Sequence, residues 1–239
     1  MAVMVARGRR ERRSRCAPAT SVVSGIMESL QTFLEPGRRA LARDGTLLPR
    51  DEQHDASPGA ALLVVDLEMS GPSPREHEVI DVGGVLATVG AGFPEQESWG
   101  ARVRPLHIGT ANVGALKVAG YSARKWRDAV PLEEAFGRLA ELGEGATIAG
   151  WGIGGDMAFL AESARRTGTP WPFADVAIDV QLIARRLLGR DEVDRFNLGH
   201  VADRLGIGRL GEHTALADAY ATYDVLVKLA ERAGLGGGP

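Results

Sequence analysis

Cys16 is the only cysteine in a chain of 239 residues, so no disulfide can form within it, which fits a reducing, cytoplasmic setting. No apolar run approaches the roughly 20 residues that a membrane span needs, so no membrane partner is expected. Six arginines lie between Arg7 and Arg15, but the stretch after them is short and broken by polar residues, unlike a secretory leader. Internal repeats are absent. The body also lacks a basic excess. The first 26 residues hold six arginines against Glu11, a net of +5, which leaves −8 for the rest of a chain whose formal charge is −3. An acidic body argues against a broad duplex-binding surface, which needs a basic stripe.

Aromatic residues are scarce at the N-terminus, where Phe33 is the only one before residue 59. Residues 1–58 show no sustained periodicity and read as a basic, disordered and solvated tail. Within it, Met27 to Ala42 can form a short amphipathic helix through Leu30, Phe33 and Leu34, and translation could start at Met1 or at Met27. Gln31-Thr32-Phe33-Leu34 resembles sliding-clamp-binding peptides, although so short a match is common. Residues 59–235 read as one domain of a size that buries a substantial core. Gly236-Gly237-Gly238-Pro239 reads as a frayed end.

The domain opens on Ala61-Leu62-Leu63-Val64-Val65-Asp66-Leu67-Glu68. The aliphatic run is a buried strand, and positions i and i+2 of a strand face the same way, so Asp66 and Glu68 project together. Two anions side by side at a buried strand end are costly unless a cation lies between them, and carboxylate oxygens suit Mg²⁺ or Mn²⁺ better than zinc. An Asp-x-Glu pair alone is more often a solvated strand end, so further acids are needed. Asp156 follows a glycine-rich stretch, and Asp218 follows His213 in His213-Thr214-Ala215-Leu216-Ala217-Asp218. Five helical steps of about 100° would set His213 and Asp218 some 140° apart, too far to share a site. His213 must therefore precede a helix capped by Thr214, with Leu216, Ala219, Tyr220, Tyr223, Val227 and Ala230 on its apolar face.

These three segments, in this order, resemble the exonuclease motifs of the DEDDh 3′→5′ exonucleases, a family that includes the proofreading epsilon subunit of bacterial DNA polymerase III, ribonuclease T and oligoribonuclease. Asp66, Glu68, Ser70 and Gly71 match Asp-x-Glu-x-Thr-Gly apart from Ser for Thr, and Val79-Ile80-Asp81-Val82-Gly83 is in register with Ile-Ile-Glu-Ile-Gly. His213, Ala215, Leu216, Asp218, Ala219 and Thr222 fit His-x-Ala-Leu-x-Asp-Ala-x-x-Thr. Ala115 to Ser122 resembles Ala-Leu-x-Val-His-Gly-Ile-Ser, and Ile178-Asp179-Val180 resembles Val-Asp-Thr. The second motif departs from the epsilon form: Trp151-Gly152-Ile153-Gly154-Gly155-Asp156 replaces His-Asn-x-x-Phe-Asp, which puts the substrate in question more than the catalysis.

The resemblance implies a ribonuclease H-like α/β fold, a mixed sheet flanked by helices. It implies that Asp66, Glu68, Asp156 and Asp218 hold two Mg²⁺ or Mn²⁺ ions and that His213 is the general base. Met69 and Ser70 would line the pocket for the 3′-terminal nucleotide, and Leu116 would pack on a base or in the core. The implied activity is 3′→5′ removal of 5′-monophosphates from single-stranded or frayed DNA in proofreading or repair, with a DNA polymerase or sliding clamp as partner. The alternatives are trimming of RNA or short oligoribonucleotides, and a catalytically silent nucleic-acid-binding module. Asp179 reads as a capping residue and Trp151 as core or a base-stacking surface. Periodicity predicts strands at 61–67, 79–89, 97–104, 146–150 and 175–180. It predicts helices at 112–119, 122–128, 131–142, 155–167, 180–189, 197–205 and from 214, with Gly83-Gly84 as a bulge or close backbone approach.

Overall fold

The computed structural model of the chain describes residues 28–41, 46–48, 59–208 and 214–236. The long apolar run becomes β3 (Ala61–Met69), whose middle residues are buried on both faces. That double burial is why it reads as a continuous rather than alternating run. β4 (Val79–Thr88) and β5 (Glu95–Arg102) follow as an antiparallel meander. β6 (Thr147–Gly150) and β7 (Val176–Asp179) join parallel on the other side of β3. With β1 (Arg38–Leu41) and β2 (Leu47–Leu48) the mixed sheet has seven strands in the order β2-β1-β7-β6-β3-β4-β5.

Helices cover both faces. α3 (Leu132–Leu142) and α4 (Gly154–Thr167) pack over Leu63, Val65 and Leu67, and α3 buries Ala135, Phe136, Leu139 and Leu142 on one face. The opposite face, through Leu62 and Val64, is covered by α5 (Val180–Leu187), α6 (Leu198–Arg204) and α7 (Ala215–Arg232). α7 is buried more widely than its predicted stripe. Ala215, Ala219, Thr222, Leu226 and Leu229 form its innermost line, whereas Leu216, Tyr220 and Val227 sit half-buried at the flanks. No described helix is long and apolar enough to cross a membrane.

Two local expectations are corrected. Residues 122–128 form turns, not a helix, after the short α2 (Val113–Val118). The buried Trp126 donates its indole N–H to Ile80 O at 2.7 Å, which anchors the segment to β4, and Arg102 Nη1 donates to Lys125 O at 2.9 Å, a carbonyl that a continuing helix would have used itself. The helix expected from Met27 to Ala42 is realised as α1 over 28–34 and stops at Pro36-Gly37. There the chain presses so close to β7 that a Cβ on Gly37 would lie 2.5 Å from Asp179 O, and it continues as β1, antiparallel to β7.

This arm alters the reading of the N-terminal region. Leu30, Phe33 and Leu34 are buried in the α5–α7 core, so residues 28–41 belong to the domain and its boundary lies before residue 59. Phe33 and Leu34, at 6% and 1% exposure, are also unavailable to a sliding clamp in this packing. Residues 1–27, with the expected disorder and the Met27 start, lie outside the described residues. Deleting residues 1–26 is expected to leave the thermal midpoint unchanged. Deleting 1–41 removes the buried apolar side chains of Leu30, Phe33 and Leu34, worth about 1.5–3 kcal/mol each, and should lower the midpoint by about 5 °C or more in differential scanning fluorimetry.

Candidate active site

Asp66 and Glu68 stand on one face of the last turns of β3, opposite Gly83 and Asp81 of β4. Gly83 is in turn opposite Gly100 of β5. The two glycines form a slot for the start of α7. A Cβ at Gly83 would fall 2.2–2.4 Å from the backbone of Ala215 and Leu216, and one at Gly100 would fall 2.9 Å from Leu216 Cβ. Of the two readings of Gly83-Gly84, close approach is the one realised; the register shifts lie instead between Glu68 and Met69 and between Leu86 and Ala87.

Two caps fix the helix end in that slot. Thr214 Oγ1 accepts from Ala217 N at 3.2 Å, as predicted, and the buried Asp81 carboxylate accepts from Ala215 N–H. Asp218 therefore reaches the strand pair: one carboxylate oxygen from each of Asp66, Glu68 and Asp218 lies within 4.8 Å of the others. Asp156 enters on the first turn of α4 with its Oδ1 accepting from Leu67 N at 3.1 Å, which docks the helix start against β3 between the two acids. Four of the five predicted catalytic residues thus converge. His213 lies outside the described residues.

The electrostatics are those of several acids gathered in a buried place. Burial, then the charges of Asp156, Asp218, Glu68 and Asp81, hold the Asp66 carboxyl well above its usual range. Glu68 is pushed up to about 7 by burial and by Asp218 and Asp81. Asp156 is also pushed up to about 7, chiefly by burial, against the lowering effect of its backbone hydrogen bonds. Burial raises Asp81 to about 6 even though Arg102 beside it and the Val82 and Ala215 amides favour its charged form. Oxygen-only donors held together at this cost fit a hard divalent ion such as Mg²⁺ or Mn²⁺.

These shifts have a sign in stability. The raised carboxyls bind protons more tightly in the folded than in the unfolded chain. Their contribution is therefore fully present below about pH 4 and is lost as pH rises through about 6–7. In EDTA the thermal midpoint is expected to fall between pH 5.5 and 8 by about 5 °C or more. With saturating Mn²⁺ the fall should largely vanish, because the ion replaces the protons. Equal slopes with and without metal would show that the cluster does not bind it.

The other predicted residues are placed as follows. Met69 is half-buried, its Cε 3.9 Å from the β-position of Gly155. Ser70 is 2% exposed, and its Oγ accepts from Glu78 N at 2.9 Å, closing the 70–78 loop. Leu116 packs half-buried against the cluster of Ile80, Ala119, Trp126 and Ala129. Trp151 is half-buried on the core beneath α5–α7. Asp179 is the expected cap: its Oδ1 accepts from Gln181 N and Gly152 N, which ties the second-motif loop to the start of α5. Sequence reasoning gave no role to Asp81. The available signal was its position opposite Glu68 across two adjacent strands, but its partner Ala215 is 134 residues away.

Residues 63–226 match the family model RNase_T, described as "Exonuclease". A Mycobacterium tuberculosis protein, named as a bifunctional exonuclease/endonuclease, is 29% identical over 72% of this chain and 27% of its own length. A DNA polymerase III of PolC type from Caldanaerobacter subterraneus subsp. tengcongensis is 22% identical over 89% of this chain and 15% of its own length. The chain thus spans about a quarter or less of these curated relatives. Escherichia coli exonuclease I, in a crystal structure with a dT13 oligonucleotide, superposes with a TM-score of 0.59 at 18% identity, covering 72% of this chain and 41% of that one. That likeness shows the ribonuclease H-like fold expected from the motifs. The matched span takes in the acid-bearing part of β3, both glycines of the slot and the acid-bearing starts of α4 and α7, and the chain belongs to the exonuclease family.

Proposed function

We propose that this chain is a divalent-metal-dependent 3′→5′ exonuclease that hydrolyses the terminal phosphodiester of single-stranded or frayed DNA and releases 5′-monophosphates, in a cytoplasmic proofreading or repair role. The observation that carries the reading is the convergence of Asp66, Glu68 and Asp218 within 4.8 Å, with Asp156 at their side, in a member of the exonuclease family. These four acids would hold two Mg²⁺ or Mn²⁺ ions. Ions bound there would supply positive charge against the phosphate and favour ionisation of an attacking water. Asp81 and the glycine slot keep Asp218 in place. His213, one residue before the Thr214 cap, takes the proton of the attacking water. Gly152, Gly154 and Gly155 leave the backbone beside Asp156 open to a ligand, Met69 and Leu116 line the approach of the 3′-terminal nucleotide, and Ser70, buried, closes the 70–78 loop.

The DNA reading draws support from the polymerase relative and from the oligonucleotide bound to exonuclease I. A second reading, 3′→5′ trimming of RNA, rests on the Asp-Leu-Glu-Met-Ser-Gly form of the first motif and on the altered second motif. The test is purified protein with Mg²⁺ or Mn²⁺ on matched single-stranded DNA and RNA oligomers. A 5′ label should give a descending ladder and a 3′ label an immediate mononucleotide, both abolished by EDTA, with the faster polymer identifying the substrate. Binding without metal-dependent release from either polymer would make the chain a silent nucleic-acid-binding module.

A further inference from the structure

The body is acidic on average, but its charge is unevenly spread. Residues 98–132 carry Arg102, Arg104, Lys117, Arg124, Lys125 and Arg127 against Asp128 alone, a net of +5 in a chain that totals −3. Two of these cations build the surface. Arg102 lies 5.0 Å over the Trp126 ring and donates from Nη1 to Lys125 O at 2.9 Å, and Arg104 donates from Nη2 to Ala129 O at 3.0 Å. Trp126 is buried, bonded to Ile80 O and tilted against Tyr121 with ring centroids 5.0 Å apart, and Ser122 Oγ accepts from Lys125 N. The turn over residues 122–128 is therefore held from behind by the sheet.

The other four point to solvent. Lys117, Arg124, Lys125 and Arg127 are all exposed, and none is held in an ion pair among the described residues. Gly120, at a φ of 60°, folds the chain back after α2. It sets Lys125 Nζ 3.9 Å from where a Gly120 Cβ would be, beside the helix turn that carries Lys117. The segment that carries the cluster is tied to the carboxylate-bearing strands at two points. Asn112 N, at the start of α2, donates to Ser70 O at 2.7 Å, two residues beyond Glu68. Across the strands, Glu68 faces Asp81 and Asp81 faces Arg102, which holds the turn.

We propose that Lys117, Arg124, Lys125 and Arg127 form a phosphate-binding surface for the backbone of a single-stranded nucleic acid whose end occupies the carboxylate site. A polyanion approaching an acidic body is repelled. A local group of unpaired cations beside the site reverses that field and releases counterions when phosphates dock. Phosphate contacts position a strand without reading its bases, so the surface serves DNA or RNA. The inference rests on the exonuclease reading of the adjacent acids.

The test uses the full chain with all four residues changed to Ala, beside a swap variant (Lys117→Arg, Arg124→Lys, Lys125→Arg, Arg127→Lys) that keeps the charge. With Mn²⁺, the ratio of kcat/KM for a 16-mer over a dinucleotide is expected to fall about tenfold or more in the Ala variant and to stay near wild type in the swap variant. The slope of log affinity against log salt should become shallower by about 2–3, near 0.7 for each lost contact. Anisotropy of a labelled 16-mer, DNA and RNA in separate arms and in EDTA, reads binding without turnover, so the surface stands or falls even if no cleavage occurs. Wild-type affinity and salt slope in a folded Ala variant would overturn the proposal, and so would equal losses in the Ala and swap variants.

Discussion

Replacing Asp66 by Asn is expected to abolish nuclease turnover by at least about 10³-fold, roughly 4 kcal/mol of transition-state stabilisation, while leaving the protein folded. Burial first, then the charges of Asp156, Asp218 and Glu68, raise the Asp66 carboxyl. An amide of the same shape keeps its place opposite Gly83 but removes one charge from the cluster. Without metal, the variant should melt at or above the wild-type midpoint, because repulsion has been relieved. With Mn²⁺, it should lose most of the wild-type gain, because a ligand is gone. Fluorimetry with and without Mn²⁺, beside single-turnover assays on a 5′-labelled oligomer, separates the two effects. A folded Asp66→Asn protein that turns over like wild type would sink the metal mechanism.

What could be read in advance follows the range of the forces involved. β3, α3, α4 and the Thr214 cap were legible because their signals are local: a doubly buried apolar run, a helical period, a hydroxyl three residues before the amide it caps. The acids could be placed from spacing on single elements and from family resemblance. The positioning of Asp218 could not. It depends on Gly100, which as a sequence feature is one glycine among many, and on Asp81 meeting Ala215 across 134 residues. The 122–128 turn was missed because its helical spacing is overridden by a tryptophan bonded to another strand. The helix of the arm at 28–41 was legible through Leu30, Phe33 and Leu34, but its docking on the core and its change to β1 were not, because its apolar residues are few, although Pro36-Gly37 marks the change from helix to strand. Average charge also misled. An acidic body was a fair reason against a duplex surface, yet it concealed the basic stretch beside the site.

His213 is where base catalysis and simple placement give different outcomes. If it takes the proton of the attacking water, His213→Ala should lose about 10²–10⁴-fold in kcat while still binding metal and oligonucleotide. Wild-type activity should rise with pH through a histidine-like ionisation. That profile alone does not identify the base, because Glu68 and Asp156 in the metal-free protein also titrate near 7. The variant supplies the distinction. At saturating metal the four acids are already deprotonated, so any rise with pH that remains in wild type and is absent in His213→Ala belongs to the imidazole. An exogenous imidazole added to the variant should restore part of the rate in proportion to its neutral form. A variant that keeps near-wild-type turnover across that range would mean that the acids and their ions suffice to activate the water, and that His213 is not the base.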